Sequence, residues 1–218
     1  MGKRFILGLL TVSLGACATT TTSQTSPQAG SPLMAQGLSA EEKQARQLVQ
    51  IQSTGNEIVR LYRMEQYGED PGYSPAARRA RQAALRLDFD HCTKDYTTVA
   101  LEGDSLGGPG PGLIAVYLIP EPENADLVPI GGFYRVLVDS ESGDVTHFRE
   151  LGNGCRTLSL NPTHQDGASV SSLLVNHNFT PYPLENHVFA SMTYEVDLVV
   201  MTNGVTWKVD NGRIWALD

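Results

Sequence analysis

The chain has 218 residues, 41% apolar and 18% charged, with a net charge of −8. That suffices for one buried core with or without a tail, and is too little apolar residue for a multi-span membrane protein. The acidic balance argues against a nucleic-acid partner, which selects a basic patch to displace counterions from phosphates.

Met1-Gly2-Lys3-Arg4 is a basic start, and Phe5 to Leu14 is mostly apolar. At about ten residues such a run is a signal-peptide core, too short to span a bilayer. It closes on Leu14-Gly15-Ala16-Cys17. These four residues resemble the lipobox of bacterial lipoproteins, a leucine and two small residues before the family's cysteine. The resemblance implies that Cys17 receives a diacylglycerol thioether, that residues 1–16 are removed, and that the new amino terminus is acylated, as with palmitate. Two or more acyl chains anchor stably where one is marginal. The residue after Cys17 is Ala18, not the aspartate that marks inner-membrane retention in that family. The resemblance therefore implies the outer membrane, with the protein facing the periplasm. Loss of Lys3 and Arg4 takes the net charge from −8 to −10.

Residues 17–38 contain no charge and are rich in Thr, Ser, Pro and Gln. This composition buries too little apolar surface to fold and reads as a tether with a reach of roughly 25 Å. One of the three cysteines goes to lipid, leaving Cys92 and Cys155 in an oxidising compartment. An even pair there reads as a disulfide, closing a loop of about 64 residues and contributing roughly 4 kcal/mol in the chain-entropy model. The alternative is a nucleophilic Cys92 beside His91, which needs a reduced thiol.

A single domain over 39–218 is expected, helical over 39–90 and mostly β over 91–218. Ser39-Ala-Glu-Glu42 is a capping box after Leu38. Ala45, Leu48, Ile51, Gly55, Ile58 and Tyr62 then mark one helical face running to about Gln66. Ser74-Pro75 starts a second helix, reaching about Leu87, whose arginines Arg78, Arg79, Arg81 and Arg86 read as a solvated face. Strands are expected at Tyr96–Leu101, Leu113–Ile119, Phe133–Val138, Val145–Glu150, Arg156–Leu160, Ser172–Asn176 and Val188–Met192. Three more, Glu195–Thr202, Val205–Val209 and Arg213–Leu217, are joined by the hairpin signals Asn203-Gly204 and Asp210-Asn211-Gly212. The fold class is α+β: two N-terminal helices, then an antiparallel sheet with a C-terminal meander. From His91 onward there are six basic and sixteen acidic residues, so the β portion carries the acidity. A neutral or cationic partner suits such a surface.

Gly103-Asp104-Ser105-Leu106-Gly107 matches G-x-S-x-G, and its letters resemble the motif of the GDSL esterases. Asp144-Val-Thr-His147 supplies that family's D-x-x-H pattern. The resemblance implies Ser105 as nucleophile, His147 as base and Asp144 as its orienter. A nucleophile elbow needs strand, turn and helix, whereas Pro109 and Pro111 follow Ser105 within six residues. The expectation is a flexible Gly/Pro loop, with an esterase as the alternative.

His177, Glu185 and His187 flank Thr180-Pro-Tyr-Pro183 and form a second alternative, a two-histidine, one-carboxylate metal site. The plainer reading puts the histidines at two strand ends; the other three are His91, His147 and His164. Trp207 and Trp215 read as core. No P-loop or G-x-G-x-x-G opens a helix, and no cofactor is expected. The sequence reads as a lipid-anchored envelope protein with a non-enzymatic binding role. Its partners would be the membrane through Cys17 and an envelope protein or small ligand, without nucleic acid.

Overall fold

The computed structural model describes residues 39–217 except 104, 106, 153 and 162–171. The lipobox with Cys17, the tether, His164 and two letters of the Gly103–Gly107 motif lie outside the described residues. Helix α1 spans Ala40–Gln66 behind the expected capping box: the Glu42 N–H donates to Ser39 Oγ, and the Ser39 N–H donates to Glu42 Oε2. Helix α2 spans Pro75–Ala84, with Ser74 Oγ accepting from the Ala77 N–H. Arg78, Arg79 and Arg86 are exposed as expected. Arg81 instead turns inward, stacks over the Tyr73 ring, pairs with Glu65 and donates to Thr98.

Among the described residues ten strands follow: β1 Tyr96–Glu102, β2 Leu113–Pro120, β3 Leu127–Pro129, β4 Tyr134–Asp139, β5 Val145–Glu150, β6 Thr157–Ser159, β7 Ser172–Asn176, β8 Asp197–Met201, β9 Thr206–Asp210 and β10 Arg213–Leu217. A third helix, α3 (Glu185–Thr193), separates β7 from β8. The class is α+β, but helix count and placement differ from the sequence expectation. Val188–Met192, expected as a strand, is helical. Every residue of α3 from Glu185 to Ser191 is buried. A helix enclosed on all sides shows no amphipathic period, so its short apolar run imitates a core strand.

The single antiparallel sheet is also corrected. Two four-stranded sheets form, β1-β2-β4-β5 and β10-β9-β8-β7, beside the β3–β6 ribbon. The second sheet is mixed, because α3 serves as the crossover that makes β7 parallel to β8. The C-terminal meander β8-β9-β10 forms as expected, and Asn211 and Gly212 both take the positive φ of a tight hairpin turn. Helix α2 covers one face of the first sheet through Arg81 and Thr98, and α3 reaches the other through Glu185 and Tyr117. The pair α1–α3 also packs on β8, β9 and β10. The layers thus run α2, first sheet, α1–α3, second sheet. Trp207 fills the lower core and donates from Nε1 to Thr202. Trp215 departs from the core expectation: it aligns with Lys208 on the outer face, 39% exposed. Period-2 alternation puts it there.

Cys92 and Cys155 are joined, with Cα atoms 4.8 Å apart. The bridge ties the segment between α2 and β1 to the segment between β5 and β6, and lies against Gly132. A Cβ on that glycine, whose φ is +77°, would lie 2.7 Å from Cys92 Sγ. Among the described residues no helix is long and apolar enough to cross a membrane.

Two stability measurements follow from this packing. Cys92→Ala is expected to lower unfolding free energy by up to roughly 4 kcal/mol, less where the unfolded chain keeps structure. Gly55 of α1 faces Val188 of α3 so closely that an added Cβ would lie within van der Waals overlap of the Val188 side chain. Gly55→Ala gains about 1 kcal/mol of helix propensity but overpacks the helix pair. A net loss of about 1–2 kcal/mol is expected in urea denaturation.

Candidate functional site

The sequence candidates separate in space. Ser105 is exposed in the β1–β2 connection, and its C=O accepts from the Gly108 N–H. The chain then continues to β2 without a helix. His147 lies on β5, three strands across from β1, roughly 14 Å at the usual strand spacing. Asp144 is exposed at the β4–β5 turn. No hydrogen bond among the described residues joins any two of Ser105, Asp144 and His147. The Gly/Pro loop, expected to be loose, is docked: Thr54 Oγ1 of α1 donates to the Gly107 C=O at 3.1 Å. A Cβ on Gly107 would lie 2.7 Å from Thr54 Cα, so only glycine permits this approach.

His177 and His187 do meet, edge to face, with ring centroids 4.8 Å apart. His187 is the third helical residue of α3, and its Nδ1 accepts from the Leu184 N–H at 2.9 Å. It thereby performs the N-terminal capping that a Glu or Gln usually performs. The Thr180 hydroxyl donates to the Tyr182 C=O, so His177 Nε2, 2.8 Å from Thr180 Oγ1, is the donor there. Glu185 turns the other way, toward Tyr117 and Arg135. The trio is therefore split, and no group of three metal-binding side chains occurs among the described residues. Burial holds His187 down to about 3 and His177 down to about 4, the latter also opposed by the Arg149 charge.

A cleft of about 490 Å³ opens between α1, the Gly107–Gly110 loop and the first sheet. Its size is that of a small-molecule site. One wall is α1, presenting Gln47, Gln50 and Ile51. The floor follows from strand register: Tyr117 of β2, Arg135 of β4 and Arg149 of β5 are direct cross-strand neighbours on one face. Glu185, its side chain 5% exposed, enters from the first turn of α3. Glu185 Oε1 accepts from the Tyr117 hydroxyl and from Arg135, each at 3.2 Å. Burial and the adjacent carboxylate push the Tyr117 hydroxyl well above its usual value, keeping it a donor. Burial opposes the Arg135 charge, but Glu185 and Tyr117 outweigh it and raise its pKa. Arg135 Nε is buried without a partner, and no carboxylate is within salt-bridge reach of Arg149 among the described residues.

Sequence reasoning named Glu185 as a candidate but missed Tyr117, Arg135 and Arg149. The available signal was two of only six basic residues in the acidic β portion, both on adjoining strands of one hairpin.

The histidine pair sets a pH dependence. Both rings are neutral in the fold and titrate near 6.5 once unfolded, so the unfolded state binds more protons below 6.5. Stability is complete above that value and falls with decreasing pH, by up to about 1.4 kcal/mol per unit per histidine, until the folded values near 4 and 3. Urea midpoints should drop between pH 7 and pH 5. His187→Gln, which keeps a capping acceptor without titrating, should remove about half of that slope. Comparison with family models, with characterised proteins and with solved structures returned no match.

Proposed function

We propose that this is a lipid-anchored cell-envelope protein whose domain binds a ligand in the cleft between α1 and the first sheet. Residues 1–16 are the lipoprotein signal, Cys17 the lipidated terminus, and 17–38 the tether that holds the domain clear of the headgroups. The anchoring half rests on Leu14-Gly15-Ala16-Cys17, and the Cys92–Cys155 bridge suits an oxidising compartment. The binding half rests on one observation: the Tyr117–Glu185–Arg135 network stands at the floor of a cleft of small-molecule size. Buried charge of this kind is costly to keep, and replacing it by apolar residues is often neutral or stabilising. A site that must orient a polar ligand accounts for its presence.

Two measurements test the halves separately. Labelled fatty acid should enter the wild-type chain and not Cys17→Ser, which offers no thiol for the thioether. Label on the serine variant would overturn the lipobox assignment. A photo-reactive residue in place of Gln47 in the full chain should capture a ligand or partner in cells, whereas one at exposed Asp144 should not. Equal capture at both positions, or none at either, would overturn the cleft.

A further inference from the structure

Arg135 and Arg149 face each other directly across the β4–β5 pair, an arrangement that like charges disfavour. Side chains so placed have Cβ atoms roughly 5 Å apart. The one carboxylate lining this floor, Glu185, is bound to Arg135 and Tyr117 and not to Arg149. The floor therefore carries one positive charge in excess, on a protein whose β portion is strongly acidic. Nothing in ordinary solubility selects this: Arg149 on the neighbouring surface could have been any polar residue. Arg135 retains a buried, unpartnered Nε–H, and Arg149 has its whole planar fork free of acidic partners among the described residues. The groups opposite are uncharged amides, Gln47 and Gln50, with Ile51 and Leu184, and Leu137 beside Arg135 on the floor, as apolar surface.

We infer that the cleft binds a small organic carboxylate, its two oxygens taken by the opposed guanidinium groups of Arg135 and Arg149. The geometry selects the class. Guanidinium forks match a planar carboxylate in a bidentate way, and the anion offsets the excess positive charge of the floor. The amides across the cleft suit a neutral polar body such as a peptide unit, and the apolar surface suits a short aliphatic part. Binding is therefore tighter for acids bearing such groups than for a bare anion. The assignment rests on the cleft being the binding site, and supplies its ligand chemistry.

The test uses thermal unfolding of the full chain in N-acetylalanine, in its neutral amide, in phosphate and in chloride, at equal ionic strength. Arg149→Gln serves as the reference that removes general salt effects. N-acetylalanine should raise the melting temperature saturably in the wild type, and Arg149→Gln should weaken that binding about tenfold. Arg149→Lys, which keeps charge without the fork, should fall between them. Amide binding as tight as the acid's, or an Arg149-dependent rise in phosphate alone, would overturn the carboxylate and leave the cleft as a site for another ligand. No difference between wild type and Arg149→Gln in any of the four solutions would overturn the carboxylate assignment, while capture at Gln47 decides the cleft itself. Should Arg149→Gln fail to fold, crystallographic density for N-acetylalanine in the wild type decides: oxygens away from both guanidinium groups refute the assignment.

Discussion

The contact between Gly55 of α1 and Val188 of α3 sets the spacing on which the other layers depend. Those two helices form the middle layer and meet a sheet on either side. Ile58, Val59, Leu61 and Tyr62 of α1 belong to the upper core, as does Phe189 of α3. Ile51, Val188 and Ala190 belong to the lower one. A wider helix pair would push both sheets outward and open two cores together. Tyr62 also meets the Phe189 ring edge to face at 5.0 Å, so the close approach is reinforced about two turns further along α1.

That spacing also shapes the cleft. Since α3 lies tight against α1, its first turn is carried up to the first sheet, where Glu185 meets Tyr117 and Arg135. Thr54 lies beside Gly55 on the same helix and holds the Gly107 loop against α1. One stretch of α1 therefore fixes the rear of the cleft by packing and its rim by a hydrogen bond. The Gly/Pro segment that looks in the sequence like a nucleophile motif serves instead as a wall, shaped by glycines that allow close backbone approach.

Charge in this protein is distributed against its composition. Acidic residues dominate the β portion, yet two of its few arginines are placed opposite each other beneath α1. Glu185, the partner of Arg135 alone, is buried and shared with a tyrosine hydroxyl, an arrangement with more donors than acceptors. On the far side of the same helix turn, His187 caps α3 as a neutral ring against His177. The start of α3 thus combines a charged group facing the cleft with a neutral imidazole pair.

Local chemistry determined much from the sequence alone. The Ser39–Glu42 capping box, the Ser74-Pro75 start, the Asn-Gly turns and the Cys92–Cys155 pairing each depend on residues whose own conformational or redox preferences suffice. Strand positions such as Val145–Glu150 and Ser172–Asn176 were equally legible, because β-favouring residues in a short run and bounding turn residues mark them. What remained closed was whatever depends on a distant partner. Helix α3 has no polar face to betray it, since sheets and α1 enclose it, and its β-branched and aromatic residues favour the wrong assignment. The division into two sheets follows from α3 as a crossover, so one misread helix concealed the topology. The cleft was hidden for the same reason: Tyr117, Arg135, Arg149 and Glu185 become neighbours only through strand register and helix docking. Register is set by how whole faces bury against each other, and that is decided in three dimensions.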